Sequence, residues 1–345
     1  MFSKLNKIVT QPSIAIDLGT ANTRLYAFGG GKIMERPSTI RLVRDGGDRV
    51  ADEYFRYINS TLVATPLRGG VIVDLKNAIS LLKPLVVKTR KLFQAPVSLA
   101  CAPTDTTEAE RELLCRALLQ AGVSRVSLMP EVWAAAIGAG LDVSLGSAQL
   151  LIDIGEGVTD LAVFRDGRII FASALRTACS DIHRAIRSAI MARYAVKIYD
   201  HELERLTSEL QTVFCHPASS DRWLAISGID VVKRREVSIT IDNQVVVAAM
   251  LPVIGKITGF IAGSLKKLPE KCYCEILESG ICLTGGGACI EGIDTSISRR
   301  TAMAVTIAAD PLHAVINGAT QTLQYWSGKR CWWDNIAWPS FQRIN

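Results

Sequence analysis

The sequence has no run of eighteen uncharged apolar residues, so a membrane-spanning helix is not expected. Its opening stretch, MFSKLNKIVTQPS, has too short an apolar part and no small-residue cleavage site, which argues against a secretory signal. Histidine is scarce: His183, His201, His216 and His313 show no ligand spacing, and read as solvated or packed side chains. The nine cysteines form no framework, which suits a reducing compartment. Only Cys272 and Cys274 lie close together, without the second pair that a zinc site needs. No helix-turn-helix, zinc finger or aromatic ribonucleoprotein motif occurs, so nucleic acid is not an expected partner. The net charge of +6, with clusters at Lys88, Arg90, Lys91 and at Lys233, Arg234, Arg235, suits an anionic membrane surface better.

What is present is apolar content of 49% in 345 residues, enough for two packed lobes. Residues 13–18 (SIAIDL) form a short apolar strand ending in an acid, then a turn with Gly19 and Thr20, then a strand over 24–28. Residues 150–160 (LLIDIGEGVTD) and LAVF repeat that plan about 135 residues later, which suggests two lobes of similar build facing one cleft. Helical spacing is read over 74–92, 107–121, 131–140, 180–194, 201–214, 252–268 and 311–325. Strands are expected at 97–101, 126–129 and 281–284, and a hairpin at 237–247 turning on Asp242 and Asn243. Strands alternating with helices indicate an α/β core.

Three glycine loops follow short apolar strands in order: DLGTANT, DIGEGVT and TGGGACIEGI. Two can clamp a polyphosphate from opposite lobes through backbone N–H groups, and the third offers a flat surface to a nucleoside. With PLRGGVIVD, APTDTTEAERE, AAAIGAGL, LERLTSEL and DPLHAVINGA, they resemble the actin, sugar-kinase and heat-shock-chaperone superfamily. Within it, residues 13–325 look like a divergent member of the MreB family of bacterial actin homologues.

That resemblance implies an actin-like, ribonuclease-H-like duplicated α/β fold with a nucleotide cleft between its lobes. It implies a first lobe over 13–140, with a small insertion near 36–66, and a second over 141–325, with a small subdomain near 178–248. ATP and Mg²⁺ are the implied cofactors, the metal held largely through water by Asp17 and Asp153. Thr20, Ala21 and Asn22 would cradle phosphate from the first lobe, and Gly155, Glu156, Gly157, Val158 and Thr159 from the second. Glu204 and Thr207 match the adenosine-facing helix; Gly285, Gly286, Gly287 and Ala288 match the adenine-side loop. Glu131 falls where the family orients the attacking water, so the catalytic set is Glu131, Asp153 and Asp17.

The departures are specific. The family usually reads DIGGGTT at the second loop, whereas eukaryotic actins resemble this chain in placing an acid between the glycines. Glu156 is therefore expected to turn away from phosphate, since a carboxylate aimed at it would repel it. Cys179 and Ser180 stand in place of Gly-Asp, where a left-handed glycine would leave Cys179 strained, and Asp181 is a candidate replacement acid. Thr207 replaces a lysine. Residues 51–62 match poorly in the insertion that makes filament contacts.

Met1, Phe2, Leu5, Ile8 and Val9 share one helical face opposite Lys4 and Lys7, as in an amphipathic segment over 1–12 lying at a membrane interface. Leu92 and Phe93 resemble the family's lipid-inserting loop. The tail, 326–345, holds four of the six Trp residues and matches nothing in the family. The function implied is a membrane-associated, ATP-dependent homopolymeric filament, cytoplasmic and on the inner membrane face. It would direct cell shape with cell-wall elongation proteins, and slow ATP hydrolysis would switch the polymer. A non-hydrolysing adaptor and a small-molecule kinase are the alternatives.

Overall fold

The computed structural model describes residues 13–41, 55–58, 61–90, 95–209 and 223–325. Segments 1–12, 91–94 and 326–345, with Phe2, Leu5, Leu92, Phe93 and the Trp-rich tail, lie outside the described residues, as does most of 42–60.

The first sheet is built from β1 (Ile14–Leu18), β2 (Asn22–Ala27) and β3 (Ile33–Pro37). Short strands follow before the helices: β4 (Ile40–Arg41), β5 (Phe55–Ile58), β6 (Thr61–Ala64) and the β7–β8 ribbon (Leu67–Arg68, Val71–Ile72). Then come α1 (Leu75–Thr89), β9 (Val97–Ala102), α2 (Glu108–Ala121), β10 (Arg125–Pro130) and α3 (Glu131–Gly138). The strand order is β10-β9-β1-β2-β3, an antiparallel meander joined to parallel strands.

The second half repeats this plan. It has β11 (Gln149–Ile154), β12 (Thr159–Arg165), β13 (Arg168–Leu175), α4 (Cys179–Tyr194), β14 (Val196–Ile198), α5 (Asp200–Glu209), β15 (Trp223–Asp230) and β16 (Arg235–Asp242). It ends with α6 (Asn243–Leu265), α7 (Glu270–Ser279), β17 (Ile281–Thr284), α8 (Ile293–Thr301), β18 (Val305–Ile307) and α9 (Ala314–Tyr325). Its sheet order, β13-β12-β11-β17-β18, is that of the first sheet element for element. The repeat visible in the two DxG loops is thus a duplicated five-stranded sheet.

Period-2 alternation decides which core each strand residue joins. Ile14 and Ile16 face the first lobe's helices, while Ala15 faces the other way; Leu150 and Ile152 face the second lobe's helices, while Leu151 turns inward. Ala15 and Leu151 meet in one shared layer with α3 and α9, where Trp133 meets Phe164 edge to face at 5.3 Å and 79°. The Ala-rich α3 fits this layer because it is narrow. A Cβ on Gly138 would stand 1.8 Å from the Ala314 oxygen, and one on Gly318 would stand 1.8 Å from the Ala134 oxygen. The two helices therefore cross with their backbones in contact.

Local signals hold where they were strongest. Thr107 caps α2 in a reciprocal box, its N–H donating to Glu110 Oε2 at 2.7 Å and its Oγ accepting from Glu110 N at 3.3 Å. Gly122, at φ +107°, closes the same helix. The hairpin expected at 237–247 is corrected. Asp242 ends β16, which pairs back onto β15, and its carboxylate accepts from Gln244 N at 2.9 Å as the N-cap of α6. The β-branched run Val245, Val246, Val247 reads locally as strand. It becomes helix because Val246, Met250, Ile254 and Ile257, at helical spacing, complete the second core. Pro252 falls inside that helix instead of opening it.

Candidate nucleotide site

Both DxG loops deliver their acids to one cleft of about 410 Å³ between the sheets. Asp17 and Asp153 lie near the ends of β1 and β11, because an apolar strand must finish before a polar side chain can face the opening. The cleft is lined by Asp17, Thr20, Ala21, Asn22, Glu131, Asp153, Gly155, Glu156, Gly157, Val158, Glu204, Thr207, Gly285 and Gly286. Thr159, Gly287 and Ala288 stand behind that wall. Thr159 is fully buried and donates to the Thr177 oxygen at 2.8 Å, tying β12 to the end of β13. Gly287 is pressed on Ile154, where a Cβ would come within 2.2 Å of Ile154 Cγ2.

The duplicated hairpins carry an electrostatic asymmetry. In the first, Asp17 lies opposite Arg24 in register; in the second, Asp153 lies opposite Asp160. Arg24 contacts Asp17 at 3.4 Å and Glu35 at 2.8 Å. Asp153 and Asp160 form no ion pair among the described residues. Burial, reinforced by Asp17, pushes Asp153 up to about 7, with Arg24 opposing. Burial likewise raises Asp17, against the pull of Arg24. Glu131, in the first turn of α3, is held well above the usual carboxylate range by burial and then by Asp17, Asp153, Asp160 and Asp105. Among the described residues no three acids converge to bind a metal ion directly, so this buried, weakly compensated lining fits a hard divalent cation only if the cation is held largely through water.

Arg24 and Asp160 escape a reading of motifs, yet register could have found both. Each stands seven residues after its acid, directly across a tight hairpin. His183 is a third addition: it lines the cleft, its Nδ1 3.8 Å from Glu156 Oε1. Glu156 therefore turns toward α4, and the second loop receives that helix through Cys179 N to the Gly155 oxygen at 3.2 Å and Ser180 N to the Glu156 oxygen at 2.8 Å. Cys179 is simply the first residue of α4 and is not among the residues at positive φ, so the anticipated strain is absent. Asp181 accepts from Ala178 N at 3.0 Å and pairs with Arg184, acting as the helix cap.

The two residues expected to face adenosine, Glu204 and Thr207, stand on α5. Glu202 anchors this helix by accepting from Ser227 N at 3.1 Å, which turns Glu204 and Thr207 to the cleft. Thr207 donates to the backbone oxygens of Leu203 and Glu204 at 3.2 and 3.0 Å. Across the cleft mouth, Arg176 of the second lobe reaches Asp105 of the first at 3.0 Å and the Gly69 oxygen at 3.4 Å. On the opposite side, His313 places Nδ1 2.8 Å from Asp310 and Nε2 3.3 Å from Glu35.

A duplicated sheet with paired glycine loops is the framework of the actin-like fold, and the MreB/Mbl protein family profile matches residues 11–330. The chain belongs to the MreB/Mbl family. Among its MreB/Mbl relatives, the cell shape-determining protein Mbl of Bacillus cereus is 31% identical over 313 residues, covering 88% of this chain and 93% of the relative. The cell shape-determining protein MreB of Pasteurella multocida is 29% identical over 337 residues, covering 94% and 96%. The crystal structure of MreB 5 of Spiroplasma citri bound to AMPPNP superposes with a TM-score of 0.79 at 28% identity, covering 91% and 97%. The MamK double helical filament, at 20% identity, shares the fold with a TM-score of 0.72 over 90% and 98%.

Proposed function

We propose that this MreB/Mbl family member binds ATP in the interlobe cleft and assembles into a membrane-associated filament that sets cell shape. The observation carrying the nucleotide reading is the pair of glycine loops, each ending a buried strand beside Asp17 or Asp153. The AMPPNP-bound and ADP-bound MreB5 relatives support it. Asp17 and Asp153 would hold Mg²⁺ largely through water. When bound, that ion would neutralise charge on the phosphates. The backbone of Thr20, Ala21, Asn22 and of residues 155–158 would hold the phosphate oxygens. Glu131 would orient the attacking water and accept its proton. The filament is read as lying on the cytoplasmic side of an anionic membrane, working with cell-wall elongation proteins, with hydrolysis as a slow switch.

The adaptor reading has its own observation. Thr207 bonds the carbonyls of its own helix and brings no charge where the family has a lysine, and Asp181 is engaged in capping α4. Electron microscopy of the full chain on anionic lipid, with and without Mg-ATP, separates the two. Ordered filaments only with nucleotide support the polymer, and bound ATP without filaments leaves the adaptor. Phosphate release by the parent protein, lost in Glu131→Ala, supports the switch; no release from the parent removes it.

A further inference from the structure

Helix α6 departs from what a surface helix of a soluble lobe requires. It is long and apolar enough to cross a membrane by length and composition, with a mean hydropathy of 2.1, yet only 33% of its most apolar window is buried. Its inner face, including Met250, Ile254, Ile257 and Ile261, sits in the second core, so it cannot span a bilayer without emptying that core. The outer face is where a charged stripe is expected. Instead it presents Ala248, Leu251, Pro252 and Gly255, with Leu251 51% exposed.

Charge identifies what such a face fits. No acid occurs from 243 to 269, while Lys256, Lys266 and Lys267 are exposed and take no part in the ion pairs formed among the described residues. The helices packed against α6 add exposed Arg193 on α4 and Arg299 and Arg300 on α8. An apolar strip with lysines beside it and at its end, and no acid, is the composition of a helix lying in an anionic interface. Gly255, Gly259 and Gly263 have open space where a side chain would stand, so the strip is flat.

We propose that the outer face of α6 rests on an anionic bilayer, parallel to its plane. This contact belongs to the second lobe and uses residues other than those expected at a membrane within 1–12 and 92–93. It rests on the membrane-associated part of the proposed function, but not on the nucleotide cleft.

The test places benzoylphenylalanine at position 251 of the full chain and irradiates it with phosphatidylglycerol-containing vesicles or with phosphatidylcholine alone. The expected result is lipid adducts on the anionic vesicles only. Lys266→Glu with Lys267→Glu should also weaken vesicle binding at least about tenfold, since a basic residue near an anionic surface is worth roughly a factor of five. Vesicle binding without a lipid adduct at 251 overturns this contact and leaves the membrane reading intact. No vesicle binding at all overturns both. An adduct to a second copy of the chain makes the face a self-association surface and overturns the lipid assignment.

Discussion

Gly157 and Gly69 meet backbone to backbone across the cleft: a Cβ on Gly157 would lie 2.7 Å from Gly69 Cα and 2.9 Å from its nitrogen. The second glycine loop therefore closes against the β7–β8 turn only because Gly157 has no side chain at the contact. Gly69 needs its glycine for its backbone, which sits at φ +56°. Gly157→Ala should hold the lobes apart and weaken Mg-ATP binding about tenfold or more, the equivalent of an overpacking cost of 1–3 kcal/mol. Titration of a fluorescent ATP analogue checks it. Unchanged affinity would show that closure does not contribute to binding.

The crossing of α3 and α9 sets a second expectation. Gly318→Ala drives a methyl onto the Ala134 oxygen and should cost about 3 kcal/mol or more in urea unfolding. Gly255→Ala, where nothing lies within 4 Å, should instead stabilise by about 0.5–1 kcal/mol through helix propensity. Equal effects at the two sites would refute the packing argument.

Arg176 and Asp105 form a clasp between the lobes, the Asp105 side chain 4% exposed. Arg176→Met leaves that carboxylate without this partner in a buried setting, at a cost of about 1–3 kcal/mol. Stopped-flow displacement of the bound analogue should show release accelerated several-fold. A release rate equal to the parent's would mean that the clasp plays no part in retention.

His313 gives a pH dependence. Hydrogen bonding to Asp310 raises its pKa above the ordinary 6.5, opposed by burial and helped by Glu35. Only the protonated ring donates to both carboxylates. The folded state thus holds this proton more tightly than the unfolded chain. The stabilisation is complete below the unfolded value and is lost as pH rises through the folded one. Thermal melts of His313→Asn should fall furthest below the parent at pH about 5.5 and converge with it near pH 8.5. A gap that widens at high pH would reverse the assignment.

The site was legible wherever a side chain or a glycine acts through local chemistry. Asp17, Asp153 and the glycine loops are readable because short apolar strands running into glycine turns recur in order, a pattern that is specific only in combination. Arg24 and Asp160 carry no motif and become legible only once the hairpin register is assigned, and His183 is not legible, since its place depends on a helix docking from elsewhere. The misread hairpin has the same origin. Three consecutive valines favour a strand locally, and only the core waiting for Val246, Met250 and Ile254 makes them helix.

By itself, the sequence determined the α/β class, the duplication, the helix starting near Thr107 and the acids of the cleft. Each follows from periodicity or from hydrogen bonds spanning a few residues. Tertiary structure alone decided that Arg24 answers Asp17 while Asp153 faces Asp160, and that Gly69 meets Gly157. It also decided that Gly138 and Gly318 let two helices touch, and that one face of α6 is left apolar and uncovered. The first depends on the register that a tight hairpin adopts, the glycine contacts join residues far apart in the chain, and the last is a matter of which face a lobe buries.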